Sequence, residues 1–224
     1  AQYDQALVKK KEWTCPDLLS GPQKVVGVCW LSTFSFMVAY LPHDAESSDQ
    51  PTVVMITGSK ESPPRYTSYE DPCYGGGEDR EKKYFFHYIP GWEMISAISS
   101  TAVEIVVLGK HMDNKDQVER WNLEDSARAE IPLKSDHSEA YSMGVAFDFS
   151  SQVSLPLSDE RSLPPCPIML VLSSDGILIP FYMVYTHPEA QPLTKPPETL
   201  TAEGARQPSG VVPTGGSQNQ TSQP

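Results

Sequence analysis

Short runs of β-branched and aromatic residues recur along this chain in three clusters, and no segment shows a sustained 3.6-residue hydrophobic period with caps at both ends. The clusters span about residues 24–58, 83–123 and 143–186, so their first runs lie about 60 residues apart. Short apolar runs of this composition, separated by polar loops, are typical of β-strands. The pattern predicts an all-β chain.

The predicted strands group into units of three or four, which favours the blades of a β-propeller over the more evenly spaced strands of a β-sandwich. The last two strands are joined by Ser174-Asp175-Gly176, and Asp-Gly between apolar runs is a strong hairpin signal. The predicted strands are Val25–Trp30, Phe34–Tyr40, Thr52–Thr57, Lys83–Ile89, Met94–Ser99, Val103–Leu108, Val118–Leu123, Met143–Phe149, Gln152–Leu157, Ile168–Ser173 and Ile177–Tyr185.

The composition divides the chain into two parts. Residues 187–224 contain seven prolines and no aromatic residue, Ile, Met or Cys. Such a segment buries too little apolar surface to offset its chain entropy. We therefore expect propeller blades over residues 1–186 and a Pro-rich, extended or disordered tail over 187–224, in which Leu193 and Leu200 suit docking as an extended strand. Because Ala1 is not preceded by Met and no leader pattern follows it, we expect a piece of a longer protein.

Charge and apolar run length exclude two classes of function. The chain has 17 Lys and Arg against 29 Asp and Glu, a net charge of −12. This charge excludes a protein that holds nucleic acid by neutralising phosphates. Membrane insertion is not expected, because the apolar runs are far shorter than the roughly 20 residues of a membrane helix. The cysteines lack zinc-site spacing and are predicted to be reduced structural thiols: Cys15, Cys29, Cys73 and Cys166.

The loop from Trp121 to Tyr141 is the most distinctive polar segment. It presents a single arginine, Arg128, among five carboxylates: Glu124, Asp125, Glu130, Asp136 and Glu139. Arginine suits bidentate pairing with a carboxylate of a partner, and the acids around it would attract a basic surface. The alternative is that Arg128 pairs with Glu124 or Asp125 and only keeps the loop soluble.

The sequence contains no complete catalytic motif. The chain has no histidine pair at metal-ligand spacing and no nucleophile elbow, so we expect neither a metal nor a cofactor. Ser173–Gly176 faintly resembles the turn of propeller glycosidases, which leaves a propeller hydrolase with scattered carboxylates as the alternative function. Such an enzyme would place paired acids on inner strands near the central channel, whereas most acids here lie in long loops.

Four stretches resemble, in the same order, the amino-terminal propeller of the CAN-type nucleoporins, large FG-repeat proteins on the cytoplasmic face of the nuclear pore. They are Asp71–Gly75, Trp121–Pro132 (WNLEDSARAEIP), Leu172–Met183 (LSSDGILIPFYM) and Pro197–Pro208. The resemblance implies a partial seven-bladed β-propeller, about the last three blades, followed by a tail that folds back onto it over Pro192–Pro208.

The resemblance also implies a function. Propellers of this family bind the DEAD-box helicase of messenger RNA export in competition with RNA, and their proteins work beside other nucleoporins of the cytoplasmic face. Arg128 matches a residue expected to dominate that contact, with Asp136 and Glu139 as neighbours; Glu124 and Asp125 belong to the same acidic loop. The expectation is a non-enzymatic protein-binding domain without direct nucleic-acid binding.

Overall fold

The structure is a computed structural model, and it describes residues 2–59, 61–77, 80–111, 117–158, 161–188 and 190–198. Over these ranges the fold is all-β, as the sequence predicts, with a single three-residue 3₁₀ helix at Asp125–Ala127. No helix in the described ranges is long and apolar enough to span a membrane. The strands are β1 (Gln2–Tyr3), β2 (Lys9–Lys11), β3 (Gln23–Ser32), β4 (Ser35–Pro42), β5 (Thr52–Thr57), β6 (Arg65–Ser68), β7 (Tyr84–Ile89), β8 (Met94–Ser99), β9 (Glu104–Lys110), β10 (Val118–Arg120), β11 (Ala129–Glu130), β12 (Ser142–Asp148), β13 (Leu155–Ser158), β14 (Arg161–Leu163), β15 (Ile168–Ser173) and β16 (Leu178–Tyr182).

Three antiparallel sheets correspond to the three predicted clusters. The first has the order β3-β4-β5-β6, the second has β7-β8-β9-β10 with β11 also paired to β9, and the third has β12-β15-β16. The predicted hairpin turn joins β15 to β16, where Gly176 has a φ of +83° and donates its N–H to the Ser173 carbonyl at 3.0 Å. A positive φ of this size is why glycine follows Asp175 there.

Five strands were not predicted from the sequence, and the limits of others differ from the prediction. The missed strands, β1, β2, β6, β11 and β14, are two to four residues long and mostly polar, so they carry no apolar alternation. The strand predicted at Gln152–Leu157 begins at Leu155 and pairs with β14 in a separate hairpin, rather than joining the third sheet. The strand predicted at Val118–Leu123 ends at Arg120, where the chain leaves the sheet.

The sheets stack side by side, and their first strands meet. The backbone of β3 at Gly27 lies against Tyr84 at the start of β7. The His87 ring of β7 stacks on Phe147 of β12 with ring centroids 3.7 Å apart. β3, β7 and β12 are therefore the inner strands of successive blades, as in a propeller.

Two apolar cores fill the spaces between the sheets. One lies between the first and second sheets and includes Met37, Val53 and Leu108. The other lies between the second and third sheets and includes Ile98, Ile105 and Val171. All six residues of β8 are buried, because both faces of the second sheet are covered. The second sheet is thus the middle blade of the three.

The described part of the tail lies against the second and third sheets. The Trp92 indole donates to the Gln191 carbonyl at 2.9 Å, and the Lys195 N–H donates to the Phe149 carbonyl at 2.8 Å. Leu193 packs so closely over Gly91 that a Cβ on that glycine would lie 2.4 Å from the Leu193 Cδ2 atom. Leu200 and the rest of residues 199–224 lie outside the described residues.

The four cysteines are free thiols in the structure, and they differ in exposure. Cys73 and Cys166 are buried, Cys29 is partly buried and Cys15 is exposed. Burial raises the pKa of Cys73 to about 12, so its thiol stays protonated and unreactive at neutral pH. Cys15 has no comparable place in a core.

Replacing Gly27 with Ala is expected to lower the free energy of unfolding by about 1–3 kcal/mol, the usual cost of overpacking. The new Cβ would lie 2.6 Å from both the Cβ atom and the backbone oxygen of Tyr84, which forces the first two sheets apart. Gly144→Ala on β12 is the matched control, because its Cβ meets no atom within 4 Å. Denaturant unfolding of both variants measures the difference, and equal stabilities would contradict this packing.

The stability of the chain is expected to begin to fall as the pH drops through about 6.5, partly through His87. Burial beside Phe147 lowers the pKa of His87 from its ordinary value of 6.5. As the pH falls through about 6.5, His87 therefore takes up a proton in the unfolded chain before it does so in the folded chain. The free energy of unfolding is thus unaffected by His87 above that pH and decreases as the pH falls below it. Thermal unfolding should show a shallower pH dependence for His87→Gln, whereas His43→Gln, in the exposed loop after β4, should follow the unsubstituted chain. Parallel pH profiles for all three proteins would refute a role of His87.

Candidate protein-binding site

The candidate loop begins where the outer strand of the second sheet is interrupted. After β10 the chain leaves the sheet at Trp121, forms the 3₁₀ helix and returns as β11, which pairs with the start of β9. The N–H groups of Ala127 and Arg128 both donate to the Glu124 carbonyl, at 2.8 and 3.1 Å. These bonds make residues 121–128 an ordered projection of the blade.

A glycine allows Trp121 to lie flat on the sheet at the base of this projection. A Cβ at Gly109 of β9 would lie 2.6 Å from the Trp121 ring. The backbone N–H of Trp121 also donates to the Val107 carbonyl at 2.9 Å. The loop is therefore anchored at its first residue by direct contact between an indole ring and bare backbone.

Arg128 is paired within its own loop. Its guanidinium donates to the Asp125 carboxylate, and its Nε atom lies 3.9 Å from a carboxylate oxygen of Glu130. The side chain of Arg128 is 35% exposed and that of Asp125 is 92% exposed. Glu124 precedes the 3₁₀ helix and makes no capping hydrogen bond with its side chain. The intramolecular pairing considered from the sequence thus exists, with Asp125 and not with Glu124.

The other two predicted acids lie on a separate turn that leads into β12. The Asp136 carboxylate accepts hydrogen bonds from the side chain and the backbone N–H of Ser138, at 2.6 and 3.0 Å, and these bonds lower the pKa of Asp136. The Tyr141 hydroxyl donates to Glu139 at 2.6 Å. Among the described residues, no hydrogen bond or ion pair connects either acid to Arg128. The structure therefore brings Arg128 together with Asp125, and it leaves Asp136 and Glu139 on a separate turn.

Arg128 also lines a groove that the sequence analysis did not identify. The groove has a volume of about 670 Å³ and lies between the second and third sheets beneath the loop. The ring of Tyr185, just after the last strand, lies 5.5 Å from Trp92 and 6.0 Å from Trp121. The groove lining is mostly apolar and aromatic, and it includes Trp92, Met94, Trp121, Leu123, Met169, Phe181, Met183 and Tyr185. Trp121 and Tyr185 were visible in the sequence, but nothing there indicates that the two rings meet.

The inner strands do not supply the paired acids that a propeller hydrolase requires. Over β3, β7 and β12, all of which the structure describes, the single carboxylate is Asp148 at the end of β12. It accepts hydrogen bonds from Ser150 at 2.6 and 2.7 Å. Among the described residues no group of three His, Cys, Asp or Glu side chains is placed to hold a metal ion.

Comparison of the sequence with known proteins identifies a family. Residues 1–178 match the NUP159/214 beta propeller family. The chain is 37% identical over 212 residues to the human nuclear pore complex protein Nup214, and 31% identical over 198 residues to Nup214 of Drosophila melanogaster. These alignments cover 92% and 88% of the chain.

A third relative is more distant. The nucleoporin NUP159 of Chaetomium thermophilum is 27% identical over 192 residues, which cover 74% of the chain. The chain spans only 10%, 11% and 13% of the lengths of these three relatives. The stacked blades and the family match agree, and the chain belongs to the NUP159/214 β-propeller family of nucleoporins.

Proposed function

We propose that this chain is a non-enzymatic, protein-binding part of a nucleoporin on the cytoplasmic side of the nuclear pore. Its partner is the DEAD-box helicase of messenger RNA export, and the contact excludes RNA from the helicase. Other nucleoporins of the cytoplasmic face hold the protein in place. Family membership supports the pore location, and the loop over residues 121–141 supports the helicase contact.

The charge of the chain supports a basic, RNA-binding partner. A net charge of −12 attracts a cationic surface and repels RNA itself. The RNA-binding face of a helicase is cationic because it contacts phosphates. A surface of this protein that covers that face therefore competes with RNA without binding RNA.

The position of Arg128 carries the proposal. Its guanidinium lies at the edge of an aromatic groove, paired with a carboxylate that is almost fully exposed. Exposed ion pairs contribute little to stability, so exchange of Asp125 for a carboxylate of the partner costs the folded chain little. Arginine beside aromatic side chains is the usual composition of an interface hot spot. Asp136 and Glu139 remain exposed for basic groups of the same partner.

Replacing Arg128 with Glu is expected to weaken helicase binding by at least about 30-fold, which corresponds to loss of a hot spot. The variant removes the cation and adds repulsion to a loop that already holds five acids. Titration calorimetry with purified helicase at low salt measures the change.

Arg161→Glu is the matched control for this experiment, because it makes the same charge change in an exposed strand of the β13–β14 hairpin. It should bind like the unsubstituted chain. If Arg128→Glu binds normally while its melting temperature is unchanged, Arg128 is not part of the contact.

The affinity for the helicase is expected to fall steeply as salt rises from about 50 to 500 mM, because screening shortens the range of the attraction between the acidic loop and a basic face. Most of the loss should appear in the association rate, which stopped-flow fluorescence measures. An affinity that stays constant over this range would remove the electrostatic basis of the proposal.

A further inference from the structure

A second cavity lies between the first and second sheets, far in sequence from the acidic loop. Its volume is about 730 Å³, and it is bordered by the start of β3, the end of β4, the loop that follows β4, and the segment that leads into β7. Cavities of roughly this size hold small molecules. Four cations line it, in a chain whose net charge is −12: Lys24, Arg80, Lys82 and Lys83.

Lys82 is the unusual member of this group, because it is buried. The residue is only 7% exposed, and its ammonium group donates to the Ser47 carbonyl. Among the described residues no carboxylate lies within ion-pair distance of it. A buried lysine is normally paired with an anion, since burial of an unpaired charge is costly. An ammonium has three donors, so two remain for a ligand in the cavity.

Among the described residues, the other cations are only partly paired with carboxylates. Only Lys83 has a carboxylate partner among the described residues, Glu81 at 2.8 Å. Arg80 donates through Nε to the Ser100 carbonyl at 2.9 Å, and its guanidinium lies over the Tyr141 ring at 5.2 Å. These contacts orient Arg80 without neutralising it. Lys24 is exposed at the mouth and has no ion pair among the described residues.

The charge of the cavity lining matches that of a phosphate group. Among the described residues that line the cavity, four are cations and two are carboxylates, Glu46 and Glu81, a difference of +2. A phosphate monoester carries about −1.5 to −2 at neutral pH. Lysine ammonium groups bind phosphate as point charges, which suits Lys24 and Lys82. The buried position of Lys82 is more accessible to a small molecule than to a phosphate on a folded macromolecule.

We propose that this cavity binds the phosphate group of a small soluble phosphate compound. The ligand supplies the missing counter-ion for Lys82, and Lys24 closes over it from the mouth. Because the cavity is bordered by both inner strands β3 and β7, the bound anion ties the first blade to the second.

Titration of the chain with inorganic phosphate at constant ionic strength tests the site. Calorimetry should show saturable binding, and phosphate should raise the melting temperature along the same curve. Lys24→Gln should weaken binding about tenfold, the usual effect of losing one charge-assisted hydrogen bond. Lys195→Gln, an exposed lysine outside the cavity, should bind as the unsubstituted chain does. No saturable binding, or equal weakening by the two variants, would overturn the proposal.

Lys82→Met gives a second and more specific readout. This variant should no longer bind phosphate, and in phosphate-free buffer it should be at least as stable as the unsubstituted chain, because an uncompensated buried charge has been removed. Unchanged phosphate binding by a folded Lys82→Met protein would overturn the assignment; if this variant does not fold, Lys24→Gln decides the question. If a phosphoserine peptide binds tenfold more tightly than inorganic phosphate, the ligand is a phosphoprotein and not a small phosphate compound, and the proposal is overturned.

Discussion

The packing of one inner strand between two others organises this structure. β7 lies with its first residue, Tyr84, against the bare backbone of Gly27, and with the ring of His87 stacked on Phe147. These two contacts set the spacing of three sheets whose strands otherwise pair only within their own blade. The two apolar cores fill the spaces that this stacking leaves, so the second sheet is buried on both faces. Both candidate sites depend on this spacing, since each lies between two neighbouring sheets.

The sites differ in how their charges are compensated. In the acidic loop Arg128 is paired with Asp125. The other acids of the loop are exposed to water, so their charges carry little desolvation penalty and can attract a basic partner. In the cavity before β7 the described lining residues carry a net positive charge, and the buried ammonium group of Lys82 donates to the Ser47 carbonyl oxygen. The net charge of −12 has the same sign as the charge of the acidic loop and the opposite sign to that of the cavity. Net charge therefore excluded the phosphates of a nucleic acid without excluding a small phosphate compound.

The sequence predicted those parts of the fold that apolar patterns encode. Runs such as those of β8 and β15, and the Asp175-Gly176 turn, carry their own signal, and the three sheets were confirmed. Polar edge strands such as β6 and β11 form because a neighbouring strand offers hydrogen bonds, which no local pattern reveals. The same limit applies to the sites. Arg128 and its acids are adjacent in the chain and were visible, whereas the meeting of Trp121 with Tyr185, and of Lys82 with Ser47, depends on tertiary structure.

In the proposed function, the chain occupies a surface of the helicase that RNA also needs. The most direct measurement is the fluorescence anisotropy of a labelled single-stranded RNA bound to the export helicase, followed as the chain is added. The chain is expected to displace the RNA, and the apparent dissociation constant of the helicase for RNA should rise linearly with the concentration of the chain. A stable complex of helicase, RNA and chain, with RNA affinity unchanged, would contradict it.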